Sequence, residues 1–239
     1  MSQTTTLTFF KYKGIQHKIW AFGMMQFAHR HLKNVPGLTF YKLLGSGKGN
    51  GFNPWPDYTI YALLQVWGSQ AQADAFFAES NLMNRYRAHS REQWTLYMNP
   101  LKADGSWSGQ NPFWPGDPTE EISDPHIAVI TRATIKRKLL WKFWRYVPTS
   151  EKPLTTNSGL IYTKGIGEVP FIQMATFSLW KDESALKRFA YESREHGQAI
   201  KLTRSLDWYK EEMFIRFKPF KSVGTWMGQD PLAVSERLQ

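Results

Sequence analysis

The sequence predicts an α+β fold, a duplicated ferredoxin-like unit with the order β-α-β-β-α-β twice over. Three observations predict it. The phrase W-x-G-Q-[ND]-P occurs twice, in S-W-S-G-Q-N-P-F at 106–113 and T-W-M-G-Q-D-P-L at 225–232. Trp67, Phe76, Glu79 and Ser80 fall on Trp180, Phe189, Glu192 and Ser193 at a constant spacing of 113. Each half also runs through the same succession of period-two and helix-period segments.

The elements follow in order. Each half opens with a strand, T-L-T-F-F-K-Y in the first and I-A-V-I-T-R-A-T-I in the second. A helix follows at roughly 15–33 and again at 137–147. Next come a Gly-rich turn and an apolar run closed by Trp67 or Trp180, which read as hairpins entering a buried strand. Ser69 and Asp182 then start a long amphipathic segment in the manner of N-caps. A last strand, W-T-L-Y-M or E-M-F-I-R-F, leads into the repeated phrase, which terminates each copy. The seam falls in P-G-D-P-T-E-E-I-S-D-P, giving repeats 1–121 and 122–239. Two such four-stranded sheets can pack face to face or close into a barrel, with a cavity between sheet and helices.

Composition narrows the class. The 239 residues are 42% hydrophobic, with 11 Trp, 10 Tyr and 16 Phe, so a substantial core forms. No apolar run is long enough to span a bilayer and the N-terminus lacks an export pattern, so a cytoplasmic location is expected. With no cysteine, thiolate metal sites, iron–sulfur clusters and Cys nucleophiles are excluded. The net charge of +10 favours an anionic partner: nucleic acid, a membrane surface or an acidic protein.

The duplication provides an internal control on the site. In the second half Leu186, Phe189, Ala190, Ser193, Gly197, Ile200 and Thr203 share one helical stripe with His196 at its edge. The position matching His196 in the first half is Met83. An imidazole facing inward at the wall of an aromatic cavity either bonds a neighbour or serves as the proximal ligand of an iron porphyrin. Arg132 and Lys136 alternate on one strand face with Ala128, Ile130 and Thr134, and either pair with haem propionates or stand as surface cations. Gln173 shares a strand face with Ala175, Phe177 and Leu179. An amide there must bond neighbouring backbone or oxygen held at iron. Phe171 and Phe177 are candidates to line a channel for a long hydrocarbon. The run 132–145 holds six cations and no acid; as a helix it is basic and amphipathic, suited to a solvated face, an anionic membrane or an acidic ferredoxin.

Other chemistries lose support. G-S-G-K-G-N-G at 45–51 lacks the Ser or Thr of a phosphate loop and the last Gly of G-x-G-x-x-G. His29 and His31 lie two apart on an expected helix and point to opposite sides. Two alternatives remain open. One is a basic single-strand nucleic-acid module, disfavoured because no ribonucleoprotein motif is present. The other is cofactor-free oxygenation, or a different haem reaction, on a duplicated barrel.

The ordered set K-I-W-A-F-G-M-M, P-G-L-T-F-Y-K-L-L-G-S-G-K-G-N-G-F-N-P-W-P-D, T-R-A-T-I-K, G-I-G-E-V-P-F-I-Q-M-A-T-F-S-L-W and T-W-M-G-Q-D-P-L resembles the spheroidene monooxygenase family over nearly the full chain. More distantly it is similar to dimeric α+β barrel haem proteins, whose second copy bears a proximal helix histidine. The resemblance implies haem b, with His196 as axial ligand of the iron. It implies hydroxylation and then ketone formation at C-2 of an acyclic carotenoid, with dioxygen and a reduced ferredoxin. With the basic helix at 132–145, a peripheral place at the inner face of the membrane is one expectation, and a homodimer stays open.

Overall fold

In a computed structural model of the chain, residues 3–49, 53, 55–116, 125–146, 158–192 and 207–236 are described. Eight antiparallel strands close into one barrel in the order β1-β3-β2-β6-β7-β5-β8-β4, so the expected half-sheets meet edge to edge. The first half contributes β1 (Thr4–Lys11), β2 (Leu38–Gly47), β3 (Pro56–Trp67) and β4 (Glu92–Gly105). The second contributes β5 (Ile127–Ile135), β6 (Leu160–Val169), β7 (Gln173–Trp180) and β8 (Tyr209–Gly224). One seam is the long β4–β8 ladder; the other, β2–β6, is registered only at Gly45↔Gly167 and Ser46↔Ile166.

Period-two alternation sends one face of every strand inward. Leu7, Phe9, Leu64, Trp94, Ile130, Phe177 and Ile215 are among the side chains that fill the barrel. An eight-stranded barrel encloses just enough space for such a filling. The other face carries the helices. In the first half these are α1 (Ile15–Phe27), α2 (His29–Leu32), α3 (Gln70–Glu79) and α4 (Asn81–His89). In the second the described residues include α5 (Leu140–Tyr146), preceded by a 3₁₀ turn, and α6 (Glu183–Glu192). A short α7 (Pro231–Glu236) follows the last turn.

The repeat is visible in the contacts. Helices α3 and α6 have bounds 113 residues apart, and each follows a polar cap: the Ser69 hydroxyl accepts from the Gln72 N–H, and Asp182 from the Ala185 N–H. Trp67 meets Phe76 and Trp180 meets Phe189, each with ring centroids 5.1 Å apart. The long helix expected in the first half breaks at Ser80, which is extended and caps α4 by accepting from the Met83 N–H.

The repeated phrase forms a tight turn that closes a barrel end. Trp107 bridges Gln110, and Trp226 bridges Gln229. Both central residues of each turn have positive φ, Ser108 and Gly109 in one, Met227 and Gly228 in the other, the signature of a type I′ turn. Since β4 and β8 run antiparallel, the two turns lie at opposite ends of the barrel, and both tryptophans are buried in its filling. Each turn is held by the other half. The Gly109 N–H donates to Glu211 of β8 and the Gly228 N–H to Glu92 of β4, both at 2.7 Å.

Candidate functional site

Register across the ladders matches the two halves residue by residue. Thr8 opposes Leu63 and Thr95, while Thr131 opposes Thr176 and Phe214. On the helix-facing side, Phe10, Leu43, Tyr61, Leu63 and Gln65 of the first half therefore match Ala133, Gly165, Met174, Thr176 and Ser178 of the second. These five exchanges remove side-chain volume from the second half, while Thr95 and Thr6 are matched by the larger Phe214 and Val129.

Packing follows from that loss of bulk. In the first half a single cluster, including Phe10, Met24, Leu63, Met83 and Tyr97, joins sheet to helices, and Thr8 beneath it is completely buried. In the second half the described residues form two clusters. Helix α6 places Ala185, Leu186 and Phe189 against Ile127, Val129 and Trp180. At the other end Phe143 of α5 packs with Ile135, Met174 and Trp208. Between them Thr131, in mid-strand, is exposed, and the Thr176 hydroxyl beside it is buried without a partner among the described residues. Arg216, matching Tyr97, lies at this face with one guanidinium nitrogen 3.2 Å from Glu183. Thr131, Ala133, Gly165 and Thr176 leave an area of sheet with small side chains, bordered by Phe214 and the Glu183-paired Arg216, which suits a planar group carrying acidic substituents. Among the described residues no three His, Asp or Glu side chains are grouped to hold a bare metal ion.

Next to this face, across the thin β2–β6 seam, runs a groove of about 210 Å³. It shares Gly165 and Met174 with the open face, and Phe22, Tyr58, Tyr61 and Phe171 line it further along. A wider cavity of about 690 Å³ adjoins it under α1, where His29 Nδ1 lies 3.0 Å from the Tyr41 hydroxyl. Burial first, then the nearby Lys33 and Lys42, lower His29 from its ordinary value and so favour the neutral ring.

The residues singled out by sequence are distributed as follows. His196 lies outside the described residues. Arg132 is 1% exposed and inside the barrel, not at the surface; its guanidinium binds Glu211 and Glu168 and lies over the Trp107 indole. Phe177 is also enclosed there, in ring contact with Phe9, Trp94 and Tyr162. The side of β7 that faces the helices carries Met174, Thr176 and Ser178, because Ala175, Phe177 and Leu179 point into the barrel. Gln173, at the start of β7, lines the groove with Phe171. Lys136 stands apart at the barrel rim, paired with Asp207 at 2.5 Å. The 3₁₀ turn and helix α5 together are amphipathic as expected: Phe143 is buried, while Lys138 of the turn and Lys142 and Arg145 of the helix are exposed, and so is Trp141 at 85%.

Sequence reasoning missed Thr131, Gly165, Thr176 and Arg216. The signal was the same comparison of halves that singled out His196, applied to strands in place of helices. Without the ladder register, however, the strands of the two halves match at different spacings, and the exchanges do not line up.

No helix among the described residues is long and apolar enough to cross a membrane. No protein-family model matches the chain. It is 36% identical over 228 residues to spheroidene monooxygenase of Rhodobacter capsulatus, covering 95% of both proteins. Spheroidene monooxygenase of Cereibacter sphaeroides is 35% identical over 231 residues, covering 96% of this chain and 71% of that protein. Among solved structures, aldoxime dehydratase superposes with a TM-score of 0.61 at 9% identity, covering 97% of this chain and 88% of that one. Aldoxime dehydratase OxdRE in complex with butyraldoxime gives 0.63, also at 9% identity, covering 97% and 86%. Those two likenesses concern the duplicated barrel alone. Sequence identity above one third over nearly the whole length places the chain in the spheroidene monooxygenase family, and the protein is a monooxygenase.

Proposed function

We propose that the protein is a haem-dependent monooxygenase acting at the C-2 end of an acyclic carotenoid, forming an alcohol and then a ketone with dioxygen and a reduced ferredoxin. The observation that supports it is an asymmetry among the described residues: Phe10, Leu43, Leu63 and Gln65 of the first half-sheet are matched by the smaller Ala133, Gly165, Thr176 and Ser178 in the second. Bound there, haem supplies redox-active iron for the reduction of dioxygen. His196 is its axial ligand in this reading. What supports this is the repeat in the sequence: its match, Met83, is fully buried in the cluster that covers the first half-sheet.

The chain's own residues have simpler tasks. Thr131, Ala133, Gly165 and Thr176 leave room for a planar group, Arg216 offers it a cation, and the buried barrel beneath keeps the floor dry and rigid. Gln173 and Phe171 face the substrate's approach through the groove. The repeats 1–121 and 122–239 share one barrel but divide the labour, the first for closure and the second for chemistry. We place the protein in the cytoplasm at the inner face of the membrane, where Trp141 and the cations of α5 meet anionic lipid.

The test is the visible spectrum of the purified protein, as isolated and after adding haemin, beside His196→Ala. A Soret band that is lost or shifted in the variant supports the reading. No band in either protein, with haemin present, overturns it in favour of cofactor-free chemistry.

A further inference from the structure

We infer that the groove over the β2–β6 seam is the cradle of the polyene, holding the rod of conjugated carbons flat on a glycine floor while one end reaches the open face of the second half-sheet. The inference rests on the carotenoid reading above and adds a site to it. Its floor is built from Gly45 and Gly47 of β2 and Gly165 and Gly167 of β6. Two of these glycines are compelled by the backbone. A Cβ on Gly47 would come within 2.6 Å of the Asn53 carbonyl, and one on Gly167 within 2.5 Å of the Gln173 carbonyl. Gly45 is not: a Cβ there would meet only the Gly167 carbonyl, at the ordinary distance of 3.8 Å. Nothing in the fold forbids a side chain at Gly45, so its absence keeps the groove open.

The walls favour hydrocarbon. Phe22 of α1 reaches across to Tyr58 of β3, ring centroids 6.4 Å apart, and both rings are more than half exposed. Upstream on α1, Ile15 and Ile19 are exposed on the same helical stripe as Phe22 and extend the apolar path outward. The two acids on the lining are neutralised from behind. Asp57 pairs at 3.0 Å with Lys164, itself only 5% exposed, and Glu168 pairs at 2.5 Å with Lys42. Among the described residues that line the groove, a charged ligand finds no free countercharge.

Phe171 supplies an independent sign. It occupies the third position of a Val169–Ile172 turn with φ of 68°, a conformation in which a bulky residue is strained. The turn is held by the Trp144 indole, which donates to the Phe171 carbonyl at 3.2 Å and meets its ring edge-on at 5.8 Å. Strain retained by a side chain lining a cavity points to a use for that side chain.

The test uses the full chain reconstituted with haemin, and spheroidene in detergent micelles as probe. A polyene held in a chiral groove acquires circular dichroism in its visible absorption band, which it lacks in the micelle. Gly45→Leu fills the floor, and should weaken spheroidene binding about tenfold or more with the Soret band unchanged, while Gly45→Ala binds nearly as the parent does. Phe22→Asp is a second, surface variant that cannot fail by core overpacking, and should weaken binding as much. Binding by Gly45→Leu and Phe22→Asp at the parent's affinity would overturn the cradle and leave the carotenoid reading standing. No induced signal from the parent protein itself would overturn both.

Discussion

The Arg132 guanidinium lies over the indole of Trp107, 5.6 Å from the ring centroid, and the same device recurs at the other end of the barrel, where the Lys11 ammonium lies 6.0 Å from the Trp226 ring. In each case the cation comes from the first strand of one half and the tryptophan from the terminal turn of the other. A carboxylate completes the clasp: Glu211 binds Arg132 and the Gly109 N–H, and Glu92 binds Lys11 and the Gly228 N–H. The phrase is repeated because a barrel of two halves has two ends to close.

Glu211→Gln should lower stability by about 2 to 3 kcal/mol in urea titration, because it removes one of the two carboxylates paired with a guanidinium that is 1% exposed. Burial alone would raise the Glu211 carboxyl, but the Gly109 N–H, Arg132 and Ser106 outweigh it and lower it to about 2. A lowered folded-state value means that the charged form is favoured by folding. Stability from this group is therefore complete above its ordinary value of 4.5 and is lost as pH falls toward about 2. Between these limits the variant should show a shallower loss than the parent, and an equal slope would contradict the clasp.

Two glycines of the first clasp should respond differently to alanine. Gly109 has φ of 79° with nothing within 4 Å of a Cβ, so Gly109→Ala should cost about 1 kcal/mol, the strain of a left-handed alanine. Gly105 has φ of 99° and a Cβ there would lie 2.2 Å from the Glu212 carbonyl on β8. Gly105→Ala must part β4 from β8, at a cost of about 3 kcal/mol or more, read as a fall in thermal midpoint.

Thr8 and Thr131 occupy matching positions in opposite environments, one completely buried and bonded to Thr95 at 3.0 Å, the other exposed. Thr8→Trp should abolish folding. Thr131→Trp should leave stability within about 0.5 kcal/mol of the parent, as a surface change does, and eliminate haemin uptake by filling the planar site. Haemin titration followed at the Soret maximum distinguishes this from an unaltered cofactor site.

Phe171→Gly places at the turn the residue that positive φ favours, and should raise stability by up to about 1 kcal/mol in thermal unfolding. The same change removes a groove wall, so spheroidene binding should fall as stability rises. Loss of both would mean that Phe171 serves packing alone.

The sequence by itself determined the duplication, the order of elements and the family. These are encoded locally: alternation fixes which residues share a strand face, caps such as Ser69 and Asp182 fix helix starts, and the paired W-x-G-Q turns need glycine at Gly109 and Gly228 for positive φ. Only the tertiary structure decided which strand face lies inside. Ala175, Phe177, Ile130 and Arg132 read as a pocket wall in a half-sheet standing alone, yet closure of the barrel enclosed them and left Thr131, Ala133 and Thr176 to face the helices. Alternation gives two faces without saying which is covered by what. That assignment comes from the edges, where β4 meets β8 and β2 meets β6, and pairing between strands more than a hundred residues apart leaves no local mark on either segment. The glycine-floored groove exists for the same reason, since half its floor comes from each copy and neither half contains it alone.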